Sequence, residues 1–349
     1  MSTPLVLRVG PFSVRTSVRV LSVSAALLVL CAGLALWAMT LGTYAVGPGD
    51  IAAAFAGRAD SAVTRVVVEW RAPRVFAALL FGAALAVSGA VFQSLTRNPL
   101  GSPDVIGFSA GSYTGVVAVL LLGANGYTAR AGGALAGGVL TALVVYLLAL
   151  RRGMQGFRLI VIGIGVGAFL SALNSWFAVK ADVDLALAAA VWGAGSLSLV
   201  DWQTLATATP ALAVLALCAP AAQRRMRRLE LGDDTAAMLG IPVERTKALL
   251  VLFAVTAVAV ATAAAGPISF VALAAPQIAR RLTGHGSSTD LAGAALVGGV
   301  ILLAADMVAQ HAIPGIALPT GAVTVCVGGL YLVILLARES RRFARGAGR

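Results

Sequence analysis

Gly107-Phe108-Ser109-Ala110-Gly111 fits the G-x-S-x-G pattern that presents a nucleophilic serine in serine hydrolases. Acyl transfer would need a base within hydrogen-bond reach of Ser109 and a third group orienting that base. The chain has two histidines. His285 lies in a Gly-His-Gly-Ser stretch with no carboxylate beside it, and His311 lies in a different apolar segment, about a membrane thickness from Ser109. Metal chemistry has no footing either. Cys31, Cys218 and Cys326 stand singly in apolar stretches without C-x-x-C spacing, and no His, Cys or carboxylate cluster has ligand spacing, so no metal is expected. Gly163, Gly165 and Gly167 miss the G-x-G-x-x-G dinucleotide pattern and follow no strand. The two lysines, Lys180 and Lys247, follow no glycine, so there is no phosphate loop. The chain is expected to have no catalytic residue and no cofactor of its own. Nucleotide-driven work would come from another polypeptide.

The elements carrying these residues explain why the chemistry fails. Of 349 residues, 59% are hydrophobic and 11% charged, and mean hydropathy is +0.93. Soluble domains carry roughly a quarter charged residues. A bilayer core about 30 Å thick needs about 20 apolar residues per helix. Ten such runs are legible, at 20–41, 75–96, 104–122, 131–150, 158–179, 204–220, 247–266, 268–282, 290–309 and 320–337. The stretch 185–199 is apolar but short and broken by glycine, and reads as a half-helix. The chain is therefore an all-α polytopic membrane protein. Its parts are a segment 1–19, one transmembrane domain over 20–338 containing a loop at 221–246, and a basic tail at 339–349. The first run is too long, and lacks a cleavage site, to be a signal peptide.

Lys and Arg are retained on the cytoplasmic side. With the N-terminus inside, 20 of the 26 cations fall inside and 6 outside, the latter being Arg58, Arg65, Arg71, Arg74, Arg130 and Lys180. One false span would invert everything after it, so the asymmetry places both termini in the cytoplasm. The net charge of +12 is spread over short loops rather than gathered on one face, which argues against nucleic acid as a partner.

In this setting Ser109 belongs to a turn. Asn98-Pro99 and Ser102-Pro103 break helical structure, Asp104 suits the first turn of the next helix, and Gly107, Ser109 and Gly111 leave room for a neighbour. Gly133 and Gly137, and Gly293 and Val297, have the same four-residue spacing. In the longest internal loop, Asp233 or Asp234 can cap a short helix through Ala236 and Met238 that Gly240 and Pro242 end. Two spans can be joined in about 2 to 8 residues, so a projecting helix suggests a docking element.

Five stretches in order carry a resemblance: "WRAPR" (70–74), "VFQSLTRNPLGSPDVIGFSAG" (91–111), "GDDTAAMLG" (232–240), "AGPISFVALAAPQIARR" (265–281) and "LLAAD" (302–306). Together they resemble the FecCD-type iron-siderophore permeases of ABC importers, and the likeness runs from about residue 65 to the end. "FRLIVIGIGVGAF", "LGDDTAAMLGIPVER" and "GGLYLVILLARES" look most like the ferric enterobactin branch. The resemblance implies a ten-helix, BtuC-like permease in the bacterial cytoplasmic membrane. Beside the membrane lipid that any such chain meets, it implies three kinds of partner: a second permease, either another copy of this chain or, as the enterobactin-like stretches favour, a paralogue; two ATPase subunits holding Mg-ATP; and an extracytoplasmic siderophore-binding protein. It implies that Arg71 and Arg74 meet glutamates of the binding protein. It also implies that Gly232, Asp233, Asp234, Ala236, Met238, Leu239 and Gly240 form the helix seated in the ATPase.

The chain departs from many relatives at Gln277, at Gln310 and in Ala317-Leu318-Pro319-Thr320-Gly321, so no third docking arginine and no carboxylate role transfer there. Asp306 reads as a packing or capping residue. The expected function is passage of a ferric siderophore by alternating access. Cobalamin or haem import is the nearest alternative, and ion-coupled transport the alternative of another class.

Overall fold

The computed structural model describes residues 4–9, 12–124, 126–149, 156–284 and 290–346; the side chains of 4–16, 105, 156 and 335–346 are left undescribed. Arg151, Arg152, His285 and Arg349 lie outside the described residues. Helices α1 (Val18–Thr40), α2 (Pro48–Phe55) and α3 (Ser61–Thr64) lead through a π-helical stretch, Arg65–Arg71, into α4 (Ala72–Thr96). After a 3-10 turn at Asp104–Ile106 come α5 (Phe108–Leu121), α6 (Tyr127–Ala149), α7 (Gly156–Lys180) and the short α8 (Val183–Gly193). The second half holds α9 (Trp202–Leu229), α10 (Asp233–Met238), α11 (Val243–Ala265), α12 (Val271–Thr283), α13 (Leu291–His311) and α14 (Thr320–Gly346).

Each of the ten apolar runs carries a helix, and 185–199 carries the half-helix α8. Seven helices are long and apolar enough to cross a bilayer, namely α1, α4 with its lead-in, α6, α7, α9, α11 and α13. Helices α5 and α12, and the first part of α14, are shorter. The run read as 104–122 loses its start because Gly107 takes a left-handed φ of 78° and separates the 3-10 turn from α5. The run read as 268–282 is cut because the chain is non-helical from Gly266 to Phe270. Helix α9 passes both Pro210 and Pro220 and continues through its arginines to Leu229, so the connector begins at Glu230 rather than 221. Helix-forming residues in "AAQRRMRRL" keep it wound beyond the apolar stretch.

One element departs from the all-α expectation. Pro4–Val9 (β1) pairs antiparallel with Phe12–Ser17 (β2) in a two-stranded hairpin. Its β-branched residues flanking Gly10-Pro11 are a strand-and-turn signal within the segment read as 1–19.

Helix α4 is the centre, packing on α13, α11, α12 and α9. The approach is close enough that backbones touch. A Cβ at Gly82 would strike the Gly298 carbonyl, and one at Gly89 would strike the Ala272 carbonyl. Helices α5 and α6 cross through Gly111 and Gly115 against Gly133 and Gly137. The α4–α13 crossing uses Gly298 rather than Gly293, which stands beside the capping Asp290. Without a hydrophobic force between helices in lipid, such contact is the main source of association. Outward positions stay apolar, with Leu122, Val179 and Leu217 each more than 80% exposed. Of the three cysteines in apolar runs, Cys31 packs in the core, whereas Cys218 and Cys326 are exposed and so are not small core residues.

Candidate functional site

An open concavity of about 580 Å³ lies where interrupted helices meet. Helices α5 and α7 supply one wall through Ser109, Tyr113, Ser171 and Asn174. The end of α8, the unwound 266–270 segment and α14 supply the other, including Ser269 and Cys326. Irregular backbone at membrane depth survives only where it is buried in protein or lines a cavity. Here Ser196 N donates to Ala265 O at 2.8 Å and Gly321 N to Gly195 O at 2.9 Å, tying the loose ends together. Phe270 holds a positive φ of 69°, and Gly328 makes room for its ring. Thr114 Oγ1 donates to Asn174 Oδ1 at 2.9 Å, and Asn174 Nδ2 donates to Ala110 O at 3.2 Å, fixing that amide at the wall. The lining holds no acidic or basic side chain. It offers hydroxyls, an amide and glycine-bared backbone, which suit recognition by hydrogen bonding and shape rather than proton transfer or metal ligation.

At one end of α4 stand the two arginines of the R-x-P-R pattern, and they differ. Arg74 forms a two-pronged pair with Asp306, Nε to Oδ2 at 2.8 Å and Nη2 to Oδ1 at 2.9 Å. Gln310 and Thr320 each also donate to Asp306 at 2.8 Å, and that carboxylate is 2% exposed. Its charge is met and its lone pairs are filled. Among the described residues Arg71 meets carbonyls instead, donating to Met39 O and Tyr44 O, each at 2.7 Å. Carbonyls orient a guanidinium without neutralising it, so Arg71 keeps its field. The π turn that delivers it frees the Val68 carbonyl, which accepts from Trp202 Nε1 at 2.7 Å.

At the other end, α10 projects between α9 and α11. Gly232, with φ 108°, occupies the N-cap and provides no side-chain cap. Asp233 therefore does not cap the helix as expected. It receives Lys247 Nζ at 2.6 Å and Arg97 Nη2 at 3.0 Å. Lys247 is 7% exposed and has Glu244 at 3.9 Å as a second partner. Arg97 closes α4 in a left-handed conformation, and Ser94, three residues earlier, donates to Glu230 at 3.1 Å. Ala236 is buried, while Met238 is 82% and Leu239 62% exposed. Two adjacent large apolar side chains are thus exposed next to an anchored stub.

Ser109 does more than leave room for a neighbour. Its hydroxyl donates to Asp104, tying the first turn of α5 to the 3-10 turn before it. Asn98 accepts from Leu100 N at 2.9 Å, closing the turn, and Gln277 Nε2 donates to Pro99 O at 2.9 Å, fastening the turn to α12. Gly107 rests against Gly167, and Gly111 against Gly137 and Thr141. His311 Nδ1 lies 2.9 Å from Met307 O on its own helix. No group of three or more His, Cys, Asp or Glu among the described residues could hold a metal. The wall residues Tyr113, Ser171, Asn174 and Ser269 escape sequence reasoning. Their one signal is polarity within apolar runs, which Ser88 and Thr262, both buried outside the concavity, share.

The sequence pattern of the FecCD transport family matches residues 27–338. The ferric enterobactin transport system permease protein FepG of Escherichia coli (strain K12) is 49% identical over 312 residues, covering 89% of this chain and 94% of that protein. The iron(3+)-hydroxamate import system permease protein FhuG of Bacillus subtilis (strain 168) is 34% identical over 86% of this chain and 92% of its own. The vitamin B12 import system permease protein BtuC of Salmonella typhi is 36% identical over 93% of this chain and 95% of its own. Among solved structures, an inward-facing conformation of a metal-chelate type ABC transporter superposes with a TM-score of 0.81 at 25% identity, covering 91% of this chain and 99% of that one.

Proposed function

The chain belongs to the FecCD transport family, and on that footing we propose that it is the permease subunit of an ABC importer carrying a ferric siderophore, of the catecholate type, across the bacterial cytoplasmic membrane. The observation that carries the reading is the concavity. It is wide, it is formed by broken helices, and its lining bears no charge. A bulky, often anionic chelate passes such a wall without being trapped by a fixed cation, and the lining carries no cluster of His, Cys, Asp or Glu among the described residues to draw iron from its chelate. Ion-coupled transport ordinarily uses polar relays near midplane. The acid in α13, Asp306, is neutralised by Arg74 instead.

Both termini lie in the cytoplasm, as the cation asymmetry requires. The concavity faces its counterpart on a second permease, a paralogue, to make the path. An extracytoplasmic binding protein docks at the Arg71 end, and two ATPase subunits holding Mg-ATP receive α10. ATP binding closes the ATPases, α10 carries that motion to α4 and α11, and the path changes the side to which it opens. The chain performs no covalent chemistry on its cargo.

The test is ATP-dependent uptake of radiolabelled ferric enterobactin by proteoliposomes holding the whole importer and its binding protein. Uptake that excess unlabelled ferric siderophore suppresses, and that survives collapse of the proton gradient, supports the reading. Uptake suppressed only by cobalamin or haem overturns the substrate, and uptake lost with the proton gradient overturns the class.

A further inference from the structure

A second cavity, of about 470 Å³, lies apart from the transport concavity and shares no helix with it. It sits between α9 and α13 where both pack on α4, with α11 behind. Small side chains such as Ala83, Ala216, Ala219 and Ala295 open the space, and Leu80, Leu215 and Phe253 make its walls apolar. Its polar residues gather at one end. There Gln223 Oε1 accepts from Leu291 N at 2.8 Å, and the Asp290 carboxylate caps α13 through Ala292 N and Gly293 N. The volume falls within the range of about 300–1,000 Å³ occupied by small-molecule sites.

Beyond the polar end, α9 continues in the same phase. Leu212, Ala216, Ala219 and Gln223 form a stripe at intervals of three and four, and the next position on it is Arg227, about 6 Å further on. Arg224, Arg225 and Arg228 flank it, and all four arginines are exposed. An apolar slot with room for one acyl chain, a polar mouth and a cationic ledge about one turn further on follow the order of polarity of a lipid chain and its headgroup. The charge asymmetry puts this ledge on the cytoplasmic side, where bilayers carry anionic headgroups and where basic pockets between helices select them.

We propose that the α9–α13 groove is a binding site for an anionic phospholipid, with an acyl chain in the apolar slot and the phosphate at Arg227 and Arg224. An acyl chain there fills space that the protein leaves between helices touching α4 but not extensively each other. The lipid thereby becomes part of the packing that holds α9, and with it the start of the coupling connector, against the core. The proposal rests on the cytoplasmic orientation given above, but not on which cargo the importer carries.

The test uses the assembled importer in nanodiscs of phosphatidylcholine with phosphatidylglycerol, transferred to detergent and read by native mass spectrometry. The wild type should keep phosphatidylglycerol in preference to phosphatidylcholine. R224Q/R227Q should lower that preference about thirtyfold, from two lost headgroup charges, and Ala219→Phe should abolish retention by filling the slot. Ala295→Leu makes the same test from the facing helix should Ala219→Phe fail to assemble. Equal retention of the two lipids by the wild type overturns the proposal. So does phosphatidylglycerol kept by an assembled slot-filling variant, or an arginine variant that sheds its ATPase subunits while keeping the lipid. Lost siderophore uptake with intact lipid selectivity would count against the cargo alone.

Discussion

Replacing Asp233 by Asn leaves the shape of α10 intact but removes the one carboxylate joining it to both α4 and α11. The exposed pair with Arg97, whose side chain is 56% exposed, is worth about 1 kcal/mol or less. The pair with Lys247 is different, since that ammonium is 7% exposed and at 2.6 Å. A hydrogen bond to a charged group contributes about 1.5–3 kcal/mol. Glu244 at 3.9 Å recovers part of it, so the net loss is about 2 kcal/mol. That is too little to unfold the helical core, yet it lowers the population in which α10 is seated by roughly 5- to 30-fold. In proteoliposomes of the complete importer, D233N should hydrolyse ATP at near wild-type rate while moving at least about fivefold less substrate per ATP. Adding Lys247→Met should recover part of the ratio, because a buried ammonium that has lost its nearest carboxylate is worse than an apolar side chain in its place. A wild-type transport-to-hydrolysis ratio in D233N, or a double variant worse than the single one, would refute the clamp.

Arg74→Ala strands the buried Asp306 carboxylate and should destabilise the subunit by about 3–5 kcal/mol, while R74A/D306A loses less; melting in detergent as a double-mutant cycle reads the difference. Arg71→Glu should weaken docking of the binding protein without lowering the melting temperature by more than a few degrees, and unchanged affinity in a pull-down titration would remove Arg71 from that surface. Gly82→Leu drives a side chain into the Gly298 backbone and should abolish assembly, since overpacking of this kind exceeds the about 1–3 kcal/mol of ordinary core insertions; normal yield would show that α4 and α13 separate more easily than their contact implies.

How much of this was readable beforehand depends on how local the determinant is. The membrane spans follow from runs of about 20 residues, and each run became a helix. The half-helix α8 and the stub α10, marked by Gly193 and by Gly232 and Gly240, are equally local. Where helices stop was less legible. Pro210 and Pro220 look like breaks but are absorbed in α9, as prolines in membrane helices can be. The N-terminal hairpin was legible in "VLRVGPFSVR" and is overshadowed by the apolar run beside it. The wall of the concavity was not legible, because Asn174 and Ser269 are 95 positions apart and meet only when α11 breaks before α12.

The ion pairs were the least legible, and their placement carries an argument about coupling. Among the described residues, every salt bridge lies at an end of α4 or beside the helix touching that end. Arg74–Asp306 is at one end, and Asp233 with Arg97 and Lys247 is at the other. A charge at bilayer centre is costly, whereas near the interfaces ions can be paired and fixed. Between these latches α4 touches α13 and α12 backbone to backbone, at Gly82 and at Gly89. A helix gripped in that way cannot slide against α13 or α12 by small increments, because the first displacement brings carbonyls into collision. Motion reaching Arg97 from α10 therefore moves α4 together with its neighbours or not at all. On the proposed mechanism, the compliance for gating would lie in backbone that is already irregular, the Gly266–Phe270 segment and the turn that follows α8, and both contribute residues to one wall of the concavity.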